Sequence, residues 1–561
     1  LILTVAHPPL AAAYRAIDPA MSDRDITLTG HDLTVDQLVA VARYGAMVAL
    51  SPEAQRNQKD AHGLLIQGAI EGVPIEGFNR PTADGKEGPA FAGDPTTPEN
   101  QALIAGRQMQ LFQSGIAGSG PEIDDEETVR ALMTVRANTL TYSAASLPVT
   151  QALVDFLNNR IVPVVQGETA DQPAGISPLR SVAAAIAGRG DVYYRGARMP
   201  AAQAIGQAGL TPVEPTGIDY QVLVDTNAFD VSRAGLLAFE AQHALNWADL
   251  IAAMDLNGVN GSLAPLSLPA QSNRPFKWLN WDAARLLDMI GGGYLFESDP
   301  KPPVRNLDSL PISSGRQGSA WRAWGGLRKE ILAELNSSDS STAIRLDLKQ
   351  HDADELGAPQ LMKYYVKGGK SSNGRHGFIV PTANRDPYPM ANEVAAFTLA
   401  LANMDAAVLR RVQQLGAPFS LSGEPAAGED AQAGDVWRDI ETLAQTNLKA
   451  QPGPRIDAAR RMVDDTLHLL AMDLANAAAW LDMGIGQDPE RKFGAAPTAA
   501  WEAFRKLVPP QPDTAQAANP AARAAAYDFL KANALESFYP KGEPPPETND
   551  PIPLAQGKIR K

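Results

Sequence analysis

Apolar residues recur along most of this chain at three- and four-residue steps, the spacing that places them on one face of a helix. The stretch "HDLTVDQLVAVARYGAMVAL" opens with Thr34 and Gln37, an N-cap and its partner three residues on, ahead of Leu38, Val41 and Ala42. That pattern predicts a helix beginning at Thr34. "ARRMVDDTLHLLAMDLANAAAWLDM" carries Met462, Val463, Leu467, Leu470 and Leu474 at helical steps and predicts an amphipathic helix of several turns. "FEAQHALNWADLIAAMDL" behaves likewise, with an alanine-rich face suited to close packing. Alternation at period two is rare: "DVYYRG", residues 191–196, predicts one small hairpin strand. Pro/Gly-rich polar runs at 423–434 and 509–520, and the tail from Pro540, predict loops or linkers. The expectation is a mainly α fold, a long central helical bundle with irregular loops at its ends.

Length and composition narrow the function classes. The 561 residues can bury a large core. A formal net charge of −15 disfavours nucleic acid and anionic membrane as partners, and no basic run opposes it. No uninterrupted apolar run approaches the ~18–20 residues of a membrane span. The chain has no cysteine, which excludes disulfides, thiolate-bound zinc, iron–sulfur clusters and thiol nucleophiles, and fits a reducing, cytoplasmic setting. Its seven histidines are scattered without ligand spacing, so no metal site is expected. Residues 1–20 precede "MSDRDITLTGHDLTVDQL", which looks like a natural start at Met21. They are expected to be non-native or a mobile arm. Residues 21–230 then form a loop-rich N-terminal domain, 231–508 a central bundle, and 509–561 a linker, short helix and tail.

Several blocks resemble the histidine and phenylalanine ammonia-lyases. "HDLTVDQLVAVARYGAMVALSPEA" looks like their opening; "VRALMTVRANTLTYSAAS" holds their R-A-N-x-L at Arg136, Ala137, Asn138 and Leu140; "LRKEILAELNSS" holds E-L-N-S at 334–337. "SPLRSVAAAIAGRGDVYYRGARMPAAQAIGQAGLTPVE" is similar to the segment that follows the family's cofactor. The resemblance spans about residues 31–485. It implies an almost all-helical subunit, a homotetramer whose sites take loops from neighbouring subunits, and methylidene-imidazolone (MIO), formed when an internal Ala-Ser-Gly cyclises.

The site residues depart from that pattern together. Ala-Ser-Gly should fall within 171–175, which reads "DQPAG"; Pro173 fixes its own φ and lacks an N–H. No MIO is expected, and no other cofactor. Glu76 stands where the family has its tyrosine base, with Gly77 and Asn79 kept. Gly115 replaces a histidine. Asp225 replaces a substrate-contacting asparagine. The loop that carries the carboxylate-clamping arginine reads "DSLP", with Asp308 and Pro311. Gln445 is kept beside Thr446, and His376 lies where the family has its N-F-H-G loop. Loss of the clamp argues against an α-amino-acid substrate, because a bidentate guanidinium contact goes with it.

Each of these residues has two readings. Glu76 is a general base or a solvated loop carboxylate paired with Arg80. Asp225 orients a ligand or is an isosteric replacement. Arg180 supplies charge to an oxyanion or pairs with Glu168 or Asp171. His376 is an acid–base group or a structural histidine. The catalytic set is Glu76, Asp225 and Arg180; the ligand contacts are Asn79, Asp308, His376 and Gln445. The reading that absorbs most of this is a repurposed, MIO-independent lyase or proton-transfer enzyme acting on a small molecule, aromatic ones included. The alternatives are an inactive homologue serving as structural or regulatory subunit or small-molecule binder, and an ammonia-lyase whose MIO has moved to the loop carrying "SSG", Ser313–Gly315.

Overall fold

The computed structural model describes residues 14–82, 85, 88–114, 121–167, 176–297, 309–350, 358–416, 427–447, 450–510, 519–540, 542 and 545–546. The fold is mainly α. Two compact units are each assembled from separate stretches: residues 1–236 with 331–390, and 237–330 with 391–561. The two units are interleaved along the chain, since residues 331–390 return to the first. Among the described residues no helix is long and apolar enough to cross a membrane.

The first unit opens with β1 (Asp25–Leu28), α1 (Val35–Ala42) and β2 (Met47–Leu50), with β1 and β2 paired in parallel from Asp25↔Met47. The capping box is present: Thr34 Oγ1 accepts from the Gln37 N–H (3.2 Å), and the Thr34 N–H donates to Gln37 Oε1 (2.9 Å). Then come α2 (Pro52–Ile70), α3 (Pro98–Ser114), α4 (Glu126–Thr139), α5 (Leu147–Asn159), β3 (Val162–Pro163) and α6 (Ile176–Ile186). The predicted hairpin is β4 (Asp191–Tyr194) with β5 (Ala197–Pro200), joined to β3 in one antiparallel sheet. After α7 (Ala201–Gln207) and α8 (Asp219–Val224), the returning stretch supplies β6 (Thr342–Leu346), β7 (Tyr365–Val366) and β8 (Gly377–Pro381), in the order β6-β8-β7.

From Tyr14 onward the stretch ahead of Met21 makes contacts with the first unit. Tyr14 stacks on Tyr193 with centroids 3.8 Å apart. The Arg15 N–H donates to Asp124 O (2.7 Å), and the Ile17 N–H donates to Glu126 Oε2 (3.2 Å).

The second unit is a bundle of long helices. The 31-residue α9 (Ala228–Gly258) leads into it, followed by the single turn α10 (Leu268–Gln271), α11 (Lys277–Met289) and α12 (Ser309–Leu335). A further turn, α13 (Pro359–Met362), belongs to the first unit. The bundle continues through α14 (Tyr388–Gly416), α15 (Ala427–Asn447), α16 (Pro452–Gln487), α17 (Ala495–Leu507) and α18 (Pro520–Ala532), with α15 and α18 packed on α16. At 36 residues α16 is ~54 Å long. Residues 427–434, expected as loop, are helical: the alanines, acids and glutamine of "AGEDAQAG" outweigh its two glycines. Ser313–Gly315 lies inside α12 rather than in a loop, and the buried Ser313 Oγ accepts from Arg411 Nη1 (3.1 Å). Helical backbone there is bonded up the axis and is not free to cyclise.

Carboxylates lie deep in this unit. Arg411 bonds Asp473 (2.8 Å) and Asp255 (3.1 Å), all three buried. Asp249 accepts from Gln317 Nε2 (2.7 Å) and Trp321 Nε1 (2.9 Å) and pairs with Arg285 (3.3 Å). Asp282 is fully buried beside Asp249, the two carboxyl groups close enough to share a proton.

Candidate functional site

The short helix α8 is pinned at both ends. At its start the buried Asp219 accepts from the Ser146 N–H (2.6 Å), Ser146 Oγ (2.7 Å) and the Thr216 N–H (2.7 Å). Burial raises its pKa, while nearby His62 and these donors pull the other way. At its end the buried Arg136 donates through Nε to Leu223 O (3.1 Å) and through Nη2 to Val222 O, satisfying carbonyls that have no partner within the helix. The same guanidinium meets Asp339 Oδ1 (2.6 Å), whose second oxygen accepts from Thr226 Oγ1 (2.5 Å). Asn138 and Asn336 complete the frame. Asn138 accepts from the Gly30 N–H (3.0 Å) and donates to Leu335 O (2.8 Å); Asn336 bonds the Leu33 N–H and carbonyl (2.8 and 2.9 Å). Arg136 of the R-A-N block and Glu334 of the E-L-N-S block, which accepts from Asn227 Nδ2 (2.9 Å), thus clamp the end of α8 and the segment after it, while Asn138 and Asn336 tie down residues 30–33.

Asp225 is the first residue past that helix, its N–H bonded to Gln221 O (2.9 Å). Its side chain is 23% exposed; Oδ1 accepts from Arg385 Nη1 (2.5 Å) and Oδ2 from Ser341 Oγ. Arg385 is itself 54% exposed. It stands on the turn after β8, held by Thr382 N–H to Ser341 O (2.7 Å), Thr382 Oγ1 to Ser340 O (2.6 Å) and Asp386 N–H to Ala383 O (3.0 Å).

Glu76 sits in a tight loop seated on the same helix. Its main chain bridges to Arg80, with the Gly77 N–H donating to Arg80 O (3.0 Å). Gly77 has φ +69°, and a Cβ there would lie 3.1 Å from Gln221 Nε2, so both the conformation and the close approach favour glycine. Gln221 is one turn before Asp225, and Gln108 fixes it by donating to its Oε1 (3.0 Å). The Glu76 side chain is exposed. Asn79 accepts from the Ile75 N–H and donates to Val73 O, both 2.8 Å, so its amide closes this loop from within. Arg180 is exposed on α6, which packs against α8. The structure therefore gathers the elements carrying Glu76, Asp225 and Arg180 around α8.

The remaining candidates fall elsewhere. His376 precedes β8, while Arg385 follows it, so the residue that reaches Asp225 is the arginine and not the histidine. His376 is half-buried; its Nε2 is buried without a hydrogen-bond partner among the described residues, and its ring is 6.3 Å from Tyr365. Gln445 is exposed on α15 of the second unit. Asp308, Gly115 and residues 168–175 lie outside the described residues. Among the described residues no group of three or more His, Cys, Asp or Glu could hold a metal. A cavity of about 290 Å³ lined by Thr29, His31, Asn57, Tyr142, Ile344 and Arg375 includes none of the catalytic candidates. Arg385 was missed from sequence; the available signal was the turn chemistry of "ANRDP", which presents one cation between turn-forming residues.

The sequence profile of the aromatic amino acid lyase family matches residues 33–430. The chain belongs to that family. A histidine ammonia-lyase of Stigmatella aurantiaca is 27% identical over 519 residues, covering 87% of this chain and 93% of that protein. A histidine ammonia-lyase of Treponema denticola is 30% identical over 338 residues, 59% of this chain and 64% of that protein. Among solved structures, ergothionase from Treponema denticola, in complex with desmethyl-ergothioneine sulfonic acid, superposes with TM-score 0.73 at 20% identity, over 91% of this chain and 99% of that one. Histidine ammonia-lyase from Trypanosoma cruzi gives TM-score 0.73 at 16% identity, over 92% and 95%. The lyase family fold is thereby shown for this chain.

Proposed function

We propose that this aromatic amino acid lyase family member works without MIO, as a lyase or proton-transfer enzyme on a small carbonyl-bearing molecule. The observation that carries the reading is the polar grouping about α8, with an exposed carboxylate at Glu76 and Asp225 held between Arg385 and Ser341. Residues 171–175, Asp-Gln-Pro-Ala-Gly, do not supply the Ala-Ser-Gly that MIO requires.

Glu76 takes a proton from a carbon next to the carbonyl, and Arg180 offsets the charge that develops on oxygen. The C–H electron pair becomes the new double bond as the leaving group departs with its own pair from the adjacent carbon. Without a leaving group the same step is reversible proton exchange. Asn79 positions the Glu76 loop. We further propose a cytoplasmic homotetramer in which Asp308, His376 and Gln445 are ligand contacts contributed by neighbouring copies.

The test is deuterium incorporation from D2O into a panel of ketones and β-hydroxyketones, followed by proton NMR, with the intact mass of the same sample. The wild-type chain should exchange at least one of them, and Glu76→Gln should slow that exchange ~100-fold or more. The mass should equal that of the unmodified chain. Equal rates in the two proteins, no exchange in either, or a mass two waters light would overturn the reading.

A further inference from the structure

Both oxygens of Asp225 are engaged, one by Arg385 Nη1 at 2.5 Å and the other by Ser341 Oγ. That leaves the carboxylate poorly placed to contact a ligand. It leaves the guanidinium well placed. Arg385 is 54% exposed, and among the described residues its Nε–Nη2 edge has no hydrogen-bond partner. Two parallel N–H groups on that edge match the two oxygens of a carboxylate or phosphate. The arginine does not wander: its turn is tied to Ser340 and Ser341 through Thr382, and Asp225 itself follows a helix clamped by Arg136.

From this geometry we infer that Arg385 is the anion-recognition group of the site and that Asp225 is its positioning residue. The proposal rests on the proposed active site about α8 and specifies its substrate class: a small molecule bearing a planar or tetrahedral oxyanion. It also bears on the sequence-based argument that loss of the clamp at Pro311 speaks against an α-amino-acid substrate. A second cation, from a different element, faces the ligand in its place.

The test is calorimetric titration of the full chain with benzoate, phenyl phosphate and, as neutral counterpart, benzamide. The expected result is saturable binding of at least one anion, weakened about tenfold or more by Arg385→Gln, with Arg385→Lys failing to restore it because an ammonium offers no fork. Benzamide should be indifferent to either change. Asp225→Asn should weaken anion binding to an intermediate degree, and Asp225→Asn/Arg385→Gln should bind no worse than Arg385→Gln alone. That non-additivity belongs to a residue acting through its partner.

Wild-type affinity in Arg385→Gln, additive losses in the double variant, or no anion binding by the wild-type chain would overturn the assignment. Preference between benzoate and phenyl phosphate identifies which oxyanion the edge fits. Glu76→Gln separates this inference from its parent. Exchange that depends on Glu76, with binding indifferent to Arg385, defeats the anion site alone. Arg385-dependent binding without any exchange defeats the proposed reaction alone.

Discussion

Arg136 is fully buried with its charge, yet every direction its guanidinium faces is answered: two α8 carbonyls, Asp339, Thr139 and Ser340. Removing one partner from such a group is costly because the others are left desolvated and unpaired. Arg136→Ala should therefore destabilise the chain by ~3–5 kcal/mol, and Arg136→Lys should recover little, since an ammonium cannot span the same fork. Urea denaturation of the purified variants checks both. Glu76 makes the opposite case. It is exposed, so Glu76→Gln should leave the stability within ~0.5 kcal/mol of wild type, and any large effect on exchange is then chemical rather than structural. The contrast separates frame from chemistry. The blocks that reveal the family, R-A-N and E-L-N-S, lie in the frame, whereas Glu76 lies exposed outside it.

At the scale of elements, the stretch before Met21 behaves as part of the first unit. Starting the chain at Met21 removes the Tyr14–Tyr193 stack, the Arg15 main-chain bonds and the Ile17 bond to Glu126. An aromatic pair contributes ~0.5–1.5 kcal/mol beyond its buried area. The truncated chain should melt lower, by about 1–2 °C per kcal/mol where the first unit unfolds as one block; an unchanged melting temperature would mean these contacts add nothing. The helices around this segment were legible because their signals are local: a capping box at Thr34 and apolar steps along residues 459–483. The packing of 14–20 was not, since Tyr14 and Tyr193 are far apart in sequence and nothing local marks the pair. The same reason hid Arg385. Its distance from Asp225 along the chain is 160 residues, and only the sheet order β6-β8-β7 brings the turn after β8 to Ser341. His376, at the other end of β8, had the more suggestive local sequence but does not meet Asp225. A motif reports which loop it sits in, whereas tertiary pairing decides which end of a strand meets the site.

At the scale of the whole molecule, the helical unit holds more buried acid than buried base can balance. Asp249 and Asp282 share Arg285, and Asp255 and Asp473 share Arg411. Burial, and then the neighbouring Asp249 carboxylate, push Asp282 well above the usual carboxylate range; burial and then Asp473 do the same to Asp255. In the unfolded chain these groups titrate near ~3.9. The folded chain therefore binds protons that the unfolded chain has released. The stabilisation this brings is complete below about pH 4 and is lost as pH rises through the raised, folded values. Asp282→Asn keeps a neutral group of the same shape beside Asp249 and removes its titration. Its melting temperature should exceed that of the wild-type chain at pH 8 and change less between pH 5 and pH 8, with the two proteins converging at the acid end. A variant less stable than wild type at every pH, with the same slope, would show that Asp282 is held as an anion and that Arg285 is shared between two charged carboxylates. The outcome also bears on the choice of working pH for the other measurements. If the bundle loosens on the alkaline side, exchange and binding about α8 belong on the acid side of that loosening, where the bundle still holds its protons.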